Sequence, residues 1–230
     1  MNPLTRARAE ELLRRIERHS TRASKQRQTA RLGEQADGAT LGIIRSLSKA
    51  LPRPDHELAL ALWQTRRHGA RLMAALLADV SCMTQTALNA WAQDIESQDV
   101  CDLCAAELFT KTKNPLKLAE RWIKQERELT RRAGFMMVCA LAAPRAKTPA
   151  ADLQKMLPLI KNGAADARPA VYKAVNKALR AVGAKSPQLS KKALACAEEI
   201  CYLFENSRTA LWVANNAKLT LTPKPAKRRS

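Results

Sequence analysis

Apolar residues recur three and four positions apart along nearly the whole chain, and the strict alternation that marks a half-buried strand is essentially absent. The spacing predicts helices near 55–65 (Leu58, Leu62, Trp63), 67–79 (Leu72, Met73, Leu76, Leu77) and 84–95 (Leu88, Trp91). It predicts another near 98–110 (Val100, Leu103, Cys104, Leu108) and one carrying Leu118, Trp122 and Ile123. Further helices are expected near 127–143, 150–162, 168–184, 187–205 and 208–218. Abundant alanine and scarce glycine favour helix on propensity as well. The fold class is therefore all-α.

Prolines punctuate these segments at short intervals. Pro52 and Pro54 precede Asp55, an N-cap residue type, and Asn114-Pro115 reads as a cap followed by a first helical residue. Pro144 and Pro149 bracket a loop, and Pro169 opens a helix. Pairs of short helices joined by tight turns are the pattern of a HEAT-like helical-repeat solenoid. No clean period is visible, so spacing alone accommodates an irregular helical bundle equally well. The two ends differ from the middle. Residues 1–37 read as a basic helix, from Pro3 to about His19, followed by a polar linker that runs on to about residue 40. Residues 38–219 hold the helical repeat, and 220–230 read as a disordered basic tail without core-forming side chains.

Charge sharpens this picture. Forty Lys and Arg against 21 Asp and Glu give a net charge of +19 in 230 residues. Such self-repulsion gains nothing in folding, and a polyanionic partner is its natural counterpart. No apolar run approaches the ~20 residues of a membrane span. The first residues lack the apolar core of a signal peptide, so a cytoplasmic, nucleoid-associated chain is expected, with no membrane partner. The six cysteines, at 82, 101, 104, 139, 196 and 201, sit in apolar helical stretches and read as small core residues. Cys101-Asp102-Leu103-Cys104 is formally a C-x-x-C, but no second ligand pair stands at a spacing suited to zinc. No metal or cofactor is expected. Trp63, Trp91, Trp122 and Trp212 all fall at helical core spacing and are expected to pack inside.

Two segments carry the candidate chemistry: Ser97-Gln98-Asp99-Val100-Cys101-Asp102 and Leu129-Thr130-Arg131-Arg132-Ala133-Gly134. Spacing alone gives them structural roles. Ser97 is a helix cap, Asp99 complements the helix dipole, and Asp102 can pair with Arg131 or Arg132. Both segments resemble the lesion-site segments of the HEAT-like repeat alkylpurine DNA glycosylases, the AlkD-like branch of the DNA alkylation repair family. Further blocks in the same order extend the resemblance over roughly 38–218: Gly42 to Lys49, Glu57 to Trp63, His68 to Leu72, and Tyr172 to Arg180.

The resemblance implies release of N3- or N7-alkylated purines from DNA, with Asp102 as the carboxylate that stabilises a cationic sugar. It implies that Arg132, flanked by Arg131, grips a phosphate near the lesion. This chain departs from the family where it usually places tryptophan: Gln98 and Lys177 stand there instead. Gly69 also stands where an acidic residue is common. Loss of both aromatic faces, with a lysine facing a positively charged base, makes this a divergent member of doubtful glycosylase chemistry. Some family members lack that activity and bind unusual DNA structures.

Lys173, Lys177 and Arg180, at i, i+4 and i+7, give one cationic helix face. The expected function is DNA binding, probed by Arg132, Arg131, Gln98, Lys173, Lys177 and Arg180, with a monomer gripping duplex DNA through a concave basic surface. The alternative is an active monofunctional N-glycosylase using Asp102. A helical scaffold for another protein is the third reading.

Overall fold

The computed structural model describes residues 2–222, which form fourteen α-helices with short 3-10 turns and contain no strand. The helices fall into two compact units, residues 1–113 and 114–230.

In the first unit α1 (Pro3–His19) starts behind Asn2, whose side chain accepts from the Leu4 amide. It buries Ala9, Leu12 and Ile16 against α3 (Leu41–Ser48), α4 (His56–Gln64) and α5 (His68–Leu77). Each fully buried Leu or Ile of this kind contributes ~1.5–3 kcal/mol. The stretch expected to be linker holds a further helix, α2 (Arg22–Leu32). It escapes pattern reading because it has no apolar face: its one buried residue is Ser24. Polar contacts hold it instead. Ser24 Oγ donates to the Gly38 carbonyl at 2.8 Å, and Gln28 Oε1 accepts from the Gly38 amide at 2.8 Å. Gly38 adopts φ +79, and a Cβ there would lie 2.9 Å from Ser20 Cβ, so the turn requires glycine.

α5 is the centre of the unit, with every residue but Leu76 buried. It packs against α3, α4 and α7 (Gln98–Glu107), while α6 (Gln85–Asp94) lies between α5 and α7 in sequence. No side chain of its own N-cap bonds the first turn; the buried carboxylate of Asp37 does so, accepting from the Gly69 amide at 2.7 Å. A Cβ at 69 would fall 2.5 Å from Ala39 Cβ and 2.9 Å from Asp37 Oδ2. The acidic residue common in the family has no room here and would face a second carboxylate. Trp63 and Trp91 stack 3.9 Å apart, and the Arg71 guanidinium lies 4.9 Å over the Trp63 ring while bonding Asp94 Oδ2 at 2.5 Å.

The second unit holds α8 (Pro115–Ile123), α9 (Glu128–Leu141), α10 (Ala150–Gln154), α11 (Leu157–Gly163), α12 (Pro169–Ala184), α13 (Pro187–Leu203) and α14 (Arg208–Leu221). The single helix expected over 150–162 is two, because Pro158 has no amide to continue the ladder and instead sits in the first turn of α11. α9, α12 and α14 lie side by side and parallel. Arg132 meets Ala170 and Lys185 meets Ala143 across the first pair; Tyr172 meets Trp212 and Asn176 meets Val213 across the second. α8 packs behind α9, and α13 behind α12 and α14. α14 continues to Leu221, into the stretch expected to be tail from residue 220; residues 223–230 lie outside the described residues.

Candidate nucleic-acid interface

In the first unit α2, α3, α5 and α7 enclose an open cleft of about 890 Å³. Arg27 and Arg31 of α2 and Arg45 of α3 line it together with His68, Asp99 and Asp102. Ser97 caps α7, accepting from the Val100 amide at 3.2 Å, and Asp99 sits exposed in the first turn, where the helix dipole favours an anion. Asp102, one turn on, is half-buried in the cleft wall. Gln98 is exposed at the first position of α7 and does not line the cleft.

The charges around the cleft are interleaved. Arg31 Nη2 and His68 Nε2 each lie 3.9 Å from Asp99 Oδ2, and Arg45 pairs with Glu107 at 3.5 Å. His68 is 4 % exposed, and its Nδ1 is 3.4 Å from Ser97 Oγ. Burial holds its pKa below the usual 6.5, although Asp37 and Asp99 pull it upward. The lining contains no Trp, Tyr or Phe.

In the second unit Lys173 and Lys177 are exposed on one face of α12, and Arg180 is half-buried beside them. Arg180 Nε is buried and has no hydrogen-bond partner among the described residues. Arg131 and Arg132, on the neighbouring α9, point differently. Arg131 is half-buried, with Nη1 3.5 Å from Asp166 Oδ2. Asp166 also takes the Arg168 guanidinium at 2.6 Å; burial pushes its carboxyl up, but Arg168 and then Arg131 outweigh that and hold it below the usual range. Arg132 is 3 % exposed and donates from Nη1 to the Ala170 carbonyl at 2.6 Å. The structure thus presents Lys173 and Lys177 to solvent with Arg180 half-buried on the same helix, and turns Arg132 inward.

Trp63, Trp91 and Trp122 are buried as expected, but Trp212 is 43 % exposed and corrects the core assignment. It lies on α14, outside the buried stripe of Ala210, Val213, Ala214 and Ala217. Cys82 is likewise exposed, because its short 3-10 turn presents it to solvent; Cys101, Cys104 and Cys196 are buried. Burial raises the Cys104 thiol well above its usual value and the Cys196 thiol to about 11, which makes both poor nucleophiles. Among the described residues no three His, Cys, Asp or Glu are placed to hold a metal, and no helix is long and apolar enough to cross a membrane.

The α2 arginines are not legible as part of a site in the sequence, because α2 itself lacks an apolar stripe. The available signal was Thr21, whose side chain caps α2 at the Ser24 amide, ahead of eleven residues without Gly or Pro.

The helical architecture matches that of a solved structure described as "A new family of proteins related to the HEAT-like repeat DNA glycosylases with affinity for branched DNA structures". The TM-score is 0.74 at 21 % identity, over 83 % of this chain and 82 % of that one. The fold is thus HEAT-like and all-α. The DNA alkylation repair enzyme family matches residues 10–211, and the chain belongs to that family. No curated protein matches it.

Proposed function

We propose that this chain is a DNA-binding member of its family, that it holds branched DNA by the phosphate backbone, and that it excises alkylated purines weakly or not at all. The observation that carries this reading is the composition of the Asp102 cleft: three arginines against two aspartates at its wall, and no aromatic ring. An N3- or N7-alkylated purine is cationic, so the excess of arginine over aspartate disfavours it and the missing rings withhold the faces that would stabilise it. A phosphate meets the opposite conditions. Lys173 and Lys177 of α12 supply a second phosphate-tracking face, with Arg131 and Arg180 at its margin and Gln98 as a polar contact at the start of α7. In this reading Arg132 acts through position, holding the first turn of α12 and with it Lys173. The structural neighbour's affinity for branched DNA supports the choice of DNA geometry.

A second reading retains one favourable observation: Asp102 stands in an open cleft where a nucleotide can reach it. That reading is an alkylpurine N-glycosylase in which Asp102 stabilises the cationic sugar. One experiment separates the two. The protein is incubated with methylated DNA at concentrations where binding is complete, and free 7-methylguanine and 3-methyladenine are measured. The binder reading expects no release above the spontaneous rate. Release that disappears in Asp102→Asn would overturn it in favour of the enzyme.

A further inference from the structure

We infer that Trp212, half-exposed and in ring contact with Tyr172, is a stacking platform for an unpaired nucleobase. The inference rests on the DNA-binding reading and adds what the second unit recognises at a branch.

Trp212 is the fifth residue of α14, as Lys173 is the fifth of α12 and Arg132 the fifth of α9. Because the three helices are parallel neighbours, these positions fall in the same turn of each. Arg132 is turned inward, while Lys173 on α12 and Trp212 on α14 are exposed. The indole meets the Tyr172 ring at 5.3 Å between centroids and 75° between planes, a T-shaped contact that helps to fix the indole. Under this pair Asn176 Nδ2 donates to the Val213 carbonyl at 3.0 Å and locks α14 to α12. The result is a rigid aromatic face, 43 % exposed, on a helix pair whose solvent side is cationic. Arg208 is exposed one turn before Trp212 on α14, and the exposed Lys173 follows Tyr172 on α12.

An aromatic ring on a cationic helix pair suits an unpaired nucleotide: the base stacks on the ring and the phosphates lie on the charges. A fully paired duplex keeps its base faces stacked inside and offers only its backbone and the base edges in its grooves. Branched DNA exposes base faces at the junction and along single-stranded arms. The platform therefore adds to affinity for DNA with unpaired bases and leaves uninterrupted duplex unaffected. The neighbouring apolar Leu219, 80 % exposed and seven residues on along α14, makes a protein partner the competing occupant.

The test titrates wild-type protein, Trp212→Ala and Trp212→Phe with oligothymidylate, a fork carrying a single-stranded arm, and a blunt duplex. Tryptophan emission, anisotropy of labelled DNA and sedimentation are followed. Expected are quenching of wild-type emission by oligothymidylate and fork but not by duplex, and its loss in Trp212→Phe, since the other three tryptophans are buried. Trp212→Ala should weaken fork binding about 5- to 100-fold and leave duplex binding unchanged, with Trp212→Phe close to wild type. Wild-type binding of fork without quenching, or Trp212→Ala binding fork like wild type, overturns the platform and leaves the DNA-binding reading standing. A Trp212→Ala effect on self-association alone overturns it in favour of a protein contact. Failure of the wild type to bind any of the three DNAs overturns both.

Discussion

The buried guanidinium of Arg132 donates from Nη1 to the main-chain carbonyl of Ala170 at 2.6 Å, tying the second turn of α9 to the first turn of α12. Family resemblance assigns this arginine to a phosphate, yet at 3 % exposure it acts first as a strut within the second unit. Replacing it by alanine removes a charge-assisted bond and leaves a cavity. Arg132→Ala should therefore lower stability by about 1.5–3 kcal/mol, read as a fall in the urea midpoint at constant m-value. An unchanged midpoint would show that the strut is not structural.

Lys177 offers the complementary case. It is exposed, so its removal should leave the unfolding midpoint within about 0.5 kcal/mol of wild type. Its effect should appear in DNA binding, as a decrease of about one in the slope of log affinity against log salt, across sequences alike. Lys173→Ala should behave the same way. A loss confined to one DNA sequence would mean that these side chains read bases and not phosphates.

Arg71 and Asp94 form the internal charge pair of the first unit. Arg71 is 2 % exposed, lies over Trp63 and is bound by both the side chain and the carbonyl of Asp94. Burial draws the guanidinium below its usual pKa, with Asp94 and Glu96 opposing. Asp94→Ala removes the closest of those carboxylates and should destabilise the protein by about 3 kcal/mol in urea unfolding. A loss below about 1 kcal/mol would show that Glu96, at 3.6 Å, suffices on its own.

His68 makes the fold sensitive to mild acid. Its folded pKa lies below the usual 6.5 because burial disfavours the imidazolium, while Asp37 and Asp99 favour it and Arg31 does not. Between the folded and unfolded pKa values the unfolded chain binds more protons, so stability rises with pH across that interval. The contribution is complete above about 6.5 and is lost as pH falls through the folded value. Urea midpoints measured from pH 7.5 down to pH 5 should decline in wild type and decline less in His68→Gln. Equal declines would place the acid sensitivity elsewhere.

The helix pattern was legible wherever an apolar stripe drives packing, as in α5, α7, α9 and α12. It failed at α2, whose attachment is polar, and at the α10–α11 break, where one proline divides an otherwise continuous periodicity. The exposed lysines of α12 were legible because their i, i+4, i+7 spacing fixes a face. The inward turn of Arg132 was not, since a local pattern cannot reveal that the α12 backbone offers it an acceptor. Trp212 departs from its core spacing for a related reason: such spacing places a residue near the buried stripe, and only the neighbouring helix decides whether it is covered.

Fluorescence anisotropy of a labelled branched DNA and of a linear duplex of the same length, each titrated across a range of salt, tests the central claim most directly. The account predicts tighter binding of the branched form at every salt concentration, and log affinity that falls steeply and linearly with log salt for both. Affinity that is flat in salt, or equal for the two DNAs throughout, would contradict it.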